Sequence, residues 1–286
     1  MKRATPSDKV IITCAVTGAV TTKKQCAAIP YTAVEIGEEC LRAYEAGATV
    51  VHVHGRSDDG QPSYDPAVFA AYKQEIAKRC PVLINFSTGA VGLSKEQRIG
   101  HVLKTQPQIA ALNMGSMNYA KYSASKKSFV FQFVFQNPFD EIIYYLKAMT
   151  EIGVRPECEV FDTGHVASLE PLLDMGLIKP PIDINLVMGV MGGMPATPDQ
   201  LAFVATHLPA GAVWKTTPVS HATWPLTAMA IGMGGHVRVG LEDNFYLPSG
   251  EMVGSNGDLV AHAATMARAA GRTVATVEEA KAILGL

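Results

Sequence analysis

Eight short β-rich runs alternate with eight amphipathic helical patterns along this chain, and that alternation leaves few folds open. The runs are 10–16, 49–55, 82–87, 109–114, 157–161, 183–190, 212–216 and 236–242. The helical stretches are 32–46, 66–79, 95–104, 138–152, 167–175, 198–207, 223–233 and 257–270. Ala46-Gly47 and Ile152-Gly153 read as glycine ends of helices. Thr197-Pro198-Asp199 and Asp65-Pro66 put a capping side chain before a first-turn proline. Eight β-then-α units predict an α/β fold, a closed (β/α)8 TIM barrel. The barrel is expected to form a single domain over 1–286, with 276–286 as a last helix packed on it. An open doubly wound sheet is the competitor. It usually carries G-x-G-x-x-G after its first strand, which Thr17-Gly18-Ala19 does not supply. Segment 118–134 is long for a connection and is expected to make an extra loop or short strand over the site.

Composition narrows the partners. The chain is 48% hydrophobic and 17% charged, enough apolar material for a large core and too little charge for disorder. A net charge of -2 offers no basic excess for nucleic acid or an anionic membrane surface. No apolar stretch reaches the ~18 residues of a membrane span. Met1-Lys2-Arg3-Ala4-Thr5-Pro6-Ser7-Asp8-Lys9 is expected to lead straight into the first strand, without a signal peptide. Cys14, Cys26, Cys40, Cys80 and Cys158 are odd in number and scattered, and no C-x-x-C occurs. They read as buried apolar side chains in a reducing cytoplasm.

Barrel enzymes carry their chemistry at the C-terminal ends of the strands. The second run ends His52-Val53-His54, with both imidazoles on one face, where they can grip a single metal ion. A hydrogen-bonded pair of core histidines is the alternative. In the eighth run Arg238, Gly240 and Glu242 are expected to share the inward face. Strand one alone separates strands eight and two, so Glu242 can approach the histidines. Two His and one Glu with open positions suit catalytic zinc. An internal Arg238–Glu242 salt bridge is the competing reading. Asp243 falls on the rim, free to act as a base. Asn85, Ser87, Asn113, Glu157 and Glu159 add inward polar groups on strands three, four and five. His165 and His221 are weaker candidates in loops, and His236 reads as structural. Gly192-Gly193 can bring backbone N–H groups to an anion, or form an ordinary turn.

Six stretches together resemble the β-keto acid cleavage enzymes: Ile12-Thr13-Cys14-Ala15-Val16-Thr17-Gly18-Ala19, His52-Val53-His54, Ser87-Thr88-Gly89, Leu112-Asn113-Met114-Gly115-Ser116, Gly189-Val190-Met191-Gly192-Gly193, and Gly234-Gly235-His236-Val237-Arg238-Val239-Gly240-Leu241-Glu242-Asp243-Asn244. The likeness runs from about Val10 to Leu286. It implies a zinc-dependent barrel that condenses a β-keto acid with acetyl-CoA to give acetoacetate and a new acyl-CoA. It further implies one Zn2+ per chain on His52, His54 and Glu242, with Asp243 as the base and Arg238 as its partner. Ser87 and Glu159 fall on further active-site positions, and a homo-oligomer, a tetramer, is implied. Three departures stand out. Val20 replaces an acidic residue that meets an ammonium in the member with an amino substrate. Ala111 replaces a small hydroxyl residue. Thr217-Pro218-Val219-Ser220-His221 replaces a Gly-Ile-Gly-Arg-like loop. The first two place Val20 and Ala111 at strand ends beside an uncharged acyl tail. Two rivals remain at this level: a metal-dependent aldolase or hydrolase that needs no CoA, and an inactive barrel that only binds.

Overall fold

The computed structural model describes residues 8–286, so residues 1–7 of the N-terminal stretch read above lie outside the described residues. Eight parallel strands close into a barrel: β1 (Ile12–Thr17), β2 (Val50–Val53), β3 (Leu83–Ser87), β4 (Ile109–Asn113), β5 (Arg155–Val160), β6 (Ile182–Met188), β7 (Ala212–Pro218) and β8 (His236–Val239). Each strand pairs with its neighbours in chain order, and β8 returns to pair with β1. The expected (β/α)8 barrel is the fold observed.

Side-chain alternation sets the layers. Val51, Val53, Ala110, Leu112, Ile184 and Leu186 point outward into the main core beneath the helices. At the N-terminal end of the bore, Ile11, Val50, Leu83 and Ile109 pack with Val277, Ala280 and Leu284 of the last helix, Val277–Leu284. That helix closes the bottom of the barrel. Its start is fixed by a reciprocal cap: Thr276 accepts from the Glu279 N–H, and Glu279 accepts from the Thr276 N–H. The same device starts the helices Ala33–Ala46, Lys95–Thr105 and Asn256–Ala269.

Three local expectations are corrected. The single helix expected over 167–175 is two short ones, Thr163–Ala167 and Leu169–Asp174. Asp162 caps the Gly164 N–H and starts the first immediately after β5, and Pro171 has no N–H to carry it onward. His165 therefore lies on a helix, buried, with its Nδ1 accepting from the Phe161 N–H. Segment 118–134 is neither a loop nor one strand. It is an antiparallel hairpin, Met117–Ser123 with Ser128–Phe135, rising from the C-terminal end of β4. The third correction concerns β8, which ends at Val239 and not at 242. Gly240 has φ +151°, and a Cβ there would stand 2.2 Å from the Ala15 carbonyl oxygen. The chain turns at this close approach, and Asp243 and Asn244 both donate their N–H to the Gly240 carbonyl. Arg238 and Glu242 thus share no strand face; the turn carries Glu242 back over the bore.

Candidate active site

The histidines arrive from the end of β2. His52 is its third residue and is buried, and His54 lies one residue beyond the strand with its N–H on the Thr17 carbonyl. Glu242 meets both: its Oε2 is 3.6 Å from His52 Nε2 and its Oε1 is 3.3 Å from His54 Nε2. The three donor atoms lie within 4.8 Å of one another. Both ring nitrogens of His52 and Glu242 Oε2 are buried without a hydrogen-bond partner. Such orphaned atoms cost about 1–3 kcal/mol each unless something else engages them. Burial and the Arg238 charge hold the His52 imidazole neutral, down to about 3, the form that ligates metals. Burial opposes the Glu242 charge, but Arg238, His54 and His52 outweigh it and hold the carboxyl below its usual range. A divalent cation fits this donor set. His52 also forms a second trio with Glu157 and Glu159, but those two carboxylates are engaged by cations of the chain.

Arg238 organises the acidic groups. It donates to Asp243 through Nε at 3.0 Å and Nη2 at 3.1 Å, to Glu242 at 2.7 Å and to Glu159 at 3.2 Å. Asp243 is therefore not a rim residue; it is 8% exposed, with both carboxylate oxygens held by the one guanidinium. Burial, with Glu242 adding, lifts it to about 6 against the pull of Arg238. Glu159 rises to about 7 for the same reason, with Glu157 and Glu242 adding. Ser87 Oγ accepts the Gly89 N–H, and Asn113 Oδ1, nearby, is buried without a partner. Tyr119 of the hairpin stands over this group. Burial lifts its phenol to about 12, and Glu242, Asp243 and Glu159 add to the shift.

Several expectations meet a different surrounding. Val20 is not at a strand end. It lies three residues past β1, 68% exposed, in a loop whose Gly18 and Thr21 carbonyls are held by Arg56. Ala111 is the third of five residues in β4, buried, one layer below Asn113. Gly193 donates its N–H to the Val190 carbonyl, so that donor is already spent within a turn. A Cβ on Gly192 would lie 1.8 Å from the Asn118 oxygen, and one on Gly193 would lie 2.5 Å from the Phe161 oxygen. Close packing of the hairpin and the end of β5 accounts for both glycines. His236 accepts the Ile11 N–H inside the barrel, and His221 is exposed.

Sequence reading passed over a cluster one layer down. Lys215 of β7 reaches Glu157 of β5 at 2.6 Å and Asp183 of β6 at 2.5 Å, all buried. Asn185 links it upward to Glu159, and Thr217 donates to Asn185 at 2.6 Å. The signal was present: a lysine or aspartate in mid-strand at an inward position is too costly to bury alone.

A closed barrel with converging imidazoles, a carboxylate and an arginine-clamped aspartate at its C-terminal mouth defines an enzyme. Residues 9–286 match the family described as beta-keto acid cleavage enzyme. The chain belongs to that family, and is a C–C bond-cleaving enzyme of β-keto acids. It is 40% identical to a 3-keto-5-aminohexanoate cleavage enzyme of Acetoanaerobium sticklandii, over 98% of this chain and 99% of that one. It is 33% identical to a 3-oxoadipate:acetyl-CoA acetyltransferase of Cupriavidus necator, over 96% and 94%. Among solved structures, the apo form of ObcA superposes with a TM-score of 0.77 at 20% identity, covering 91% of this chain and 66% of ObcA, which shows a shared fold. No helix among the described residues is long and apolar enough to cross a membrane.

Proposed function

We propose that this enzyme exchanges the acyl group of a β-keto acid for the acetyl group of acetyl-CoA, yielding acetoacetate and a new acyl-CoA, with one zinc ion held by His52, His54 and Glu242. The observation that carries this reading is the convergence of those three donors, with orphaned nitrogens on His52, beside the clamped Asp243. When bound, zinc supplies Lewis acidity toward the oxygens of the keto acid. Asp243 removes the α-proton of the β-keto acid. Its oxygens are fixed by the two Arg238 contacts, and its lifted pKa keeps it basic near neutrality. Arg238 also holds Glu159, which can carry a proton at similar pH. Ser87 and Asn113 offer hydrogen bonds to the substrate from β3 and β4. Five free, buried cysteines support action in a reducing cytoplasm, and a homo-oligomer, a tetramer, belongs to the same reading.

Metal content tests the ligand set. One zinc per parent chain is expected, falling sharply in both His52→Ala and His54→Ala. Unchanged stoichiometry in both variants would remove the assignment.

The acyl tail is proposed to be uncharged. Val20 carries no charge and Ala111 no hydroxyl, as the resemblance first indicated. A neutral aliphatic β-keto acid is expected to exceed 3-keto-5-aminohexanoate in kcat/KM by about 10²-fold. A ratio below one would show that some group does meet the amine.

A further inference from the structure

The hairpin Met117–Ser123/Ser128–Phe135 has more surface chemistry than a roof needs. One face is an aromatic ladder. Phe135 and Met117 are buried at its root with Phe161 and Val187. Tyr119 pairs with Phe133 above them, rings stacked at 5.3 Å, and Lys121 pairs with Phe131 above those. Tyr119, Phe131 and Phe133 are partly buried, and Tyr119 and Phe133 pack on the cluster at the root. The hairpin holds Lys121, Lys126 and Lys127, all exposed, and no acidic residue, in a chain whose net charge is -2. At about 3.4 Å per residue, Ser123 stands roughly 20 Å beyond Met117. That span matches the arm between the thioester and the nucleotide phosphates of coenzyme A. The end of β7 and the loop after it, 217–221, hold no arginine or lysine for those phosphates. On neighbouring mouth loops Lys23 is engaged by Glu35 and Arg56 by the carbonyls of Gly18, Thr21 and Gly60, while Lys24 is exposed beside Lys23.

We infer that the hairpin is the coenzyme A grip of this enzyme, its aromatic ladder carrying the pantetheine arm outward and its three tip lysines receiving the phosphates. This rests on acetyl-CoA being the co-substrate. Charge complementarity selects the occupant: a polyanion with an apolar arm fits a cationic tip above an aromatic stripe.

The test is the variant Lys121→Gln/Lys126→Gln/Lys127→Gln, assayed with acetyl-CoA and with S-acetyl-N-acetylcysteamine, a thioester without phosphates. The ratio of kcat/KM for acetyl-CoA to that for the short thioester is expected to fall about tenfold or more. The KM for acetyl-CoA should also lose most of its salt dependence, while the KM for the keto acid holds. A ratio within twofold of the parent would overturn the inference. So would a change of oligomeric state with the acetyl-CoA KM unmoved, which would assign the hairpin to a contact between copies of this chain. A parent enzyme that turns over without acetyl-CoA would overturn the co-substrate reading and the grip together.

Discussion

Asp243→Asn is expected to keep fold and metal and to lose about 10²–10⁴-fold in turnover. The amide preserves the shape beside Arg238, and the arginine keeps Glu242 and Glu159 as partners, so the site does not collapse. What is lost is the proton acceptor. The pH profile should show the same group. Burial lifts Asp243 to about 6, above its ordinary value, so its basic form disappears as the pH falls through about 6. In the parent, kcat/KM should drop about tenfold per unit below that pH and stay level just above it. The residual activity of the variant should lack this acid limb. A variant within threefold of the parent would place the base elsewhere, and Glu159 is then the next group to replace.

Lys215→Met is expected to destabilise the fold by about 3–5 kcal/mol, because it strands two buried carboxylates. In the parent, burial opposes the lysine charge, but Asp183 and Glu157 outweigh it and hold the ammonium charged. Burial already lifts Asp183 to about 6, with Glu157 adding and Lys215 opposing. Lys215 holds Glu157 below its usual range, so removing it moves that carboxyl up and Asp183 further up. A folded-state pKa raised above the unfolded value favours the fold at low pH and disfavours it as pH rises. The deficit should therefore grow from acid toward neutral pH. Adding Glu157→Gln and Asp183→Asn should recover most of it. Equal melting temperatures for Lys215→Met and the parent at pH 7 would mean that this cluster does not hold the bore together.

Much of the barrel was legible because its signals are local. Strand alternation and helix caps such as Asp65 before Pro66 act within a few residues, and the eight strands fall within about two residues of expectation except at β8. That end depended on a long-range contact, the approach of Gly240 to Ala15, which no local pattern encodes. The paired hairpin was likewise invisible, because 118–134 shows no turn dipeptide of the usual kind. For the site, spacing identified the histidines. It could not show that Asp243 is buried, since its surroundings come from Arg238 and the turn at Gly240. Lys215 was missed because its partners lie on two other strands. Val20 was placed too near a strand, for the bend after Thr17 comes from Arg56 gripping the loop carbonyls.

The central claim is acyl exchange between a β-keto acid and acetyl-CoA. Acetyl-CoA labelled in both acetyl carbons, incubated with an unlabelled neutral β-keto acid and the zinc-loaded enzyme, tests it most directly. The account predicts label in carbons three and four of acetoacetate, and one unlabelled acyl-CoA carrying the tail for each acetoacetate formed. Cleavage of the keto acid with all label remaining in acetyl-CoA would contradict it.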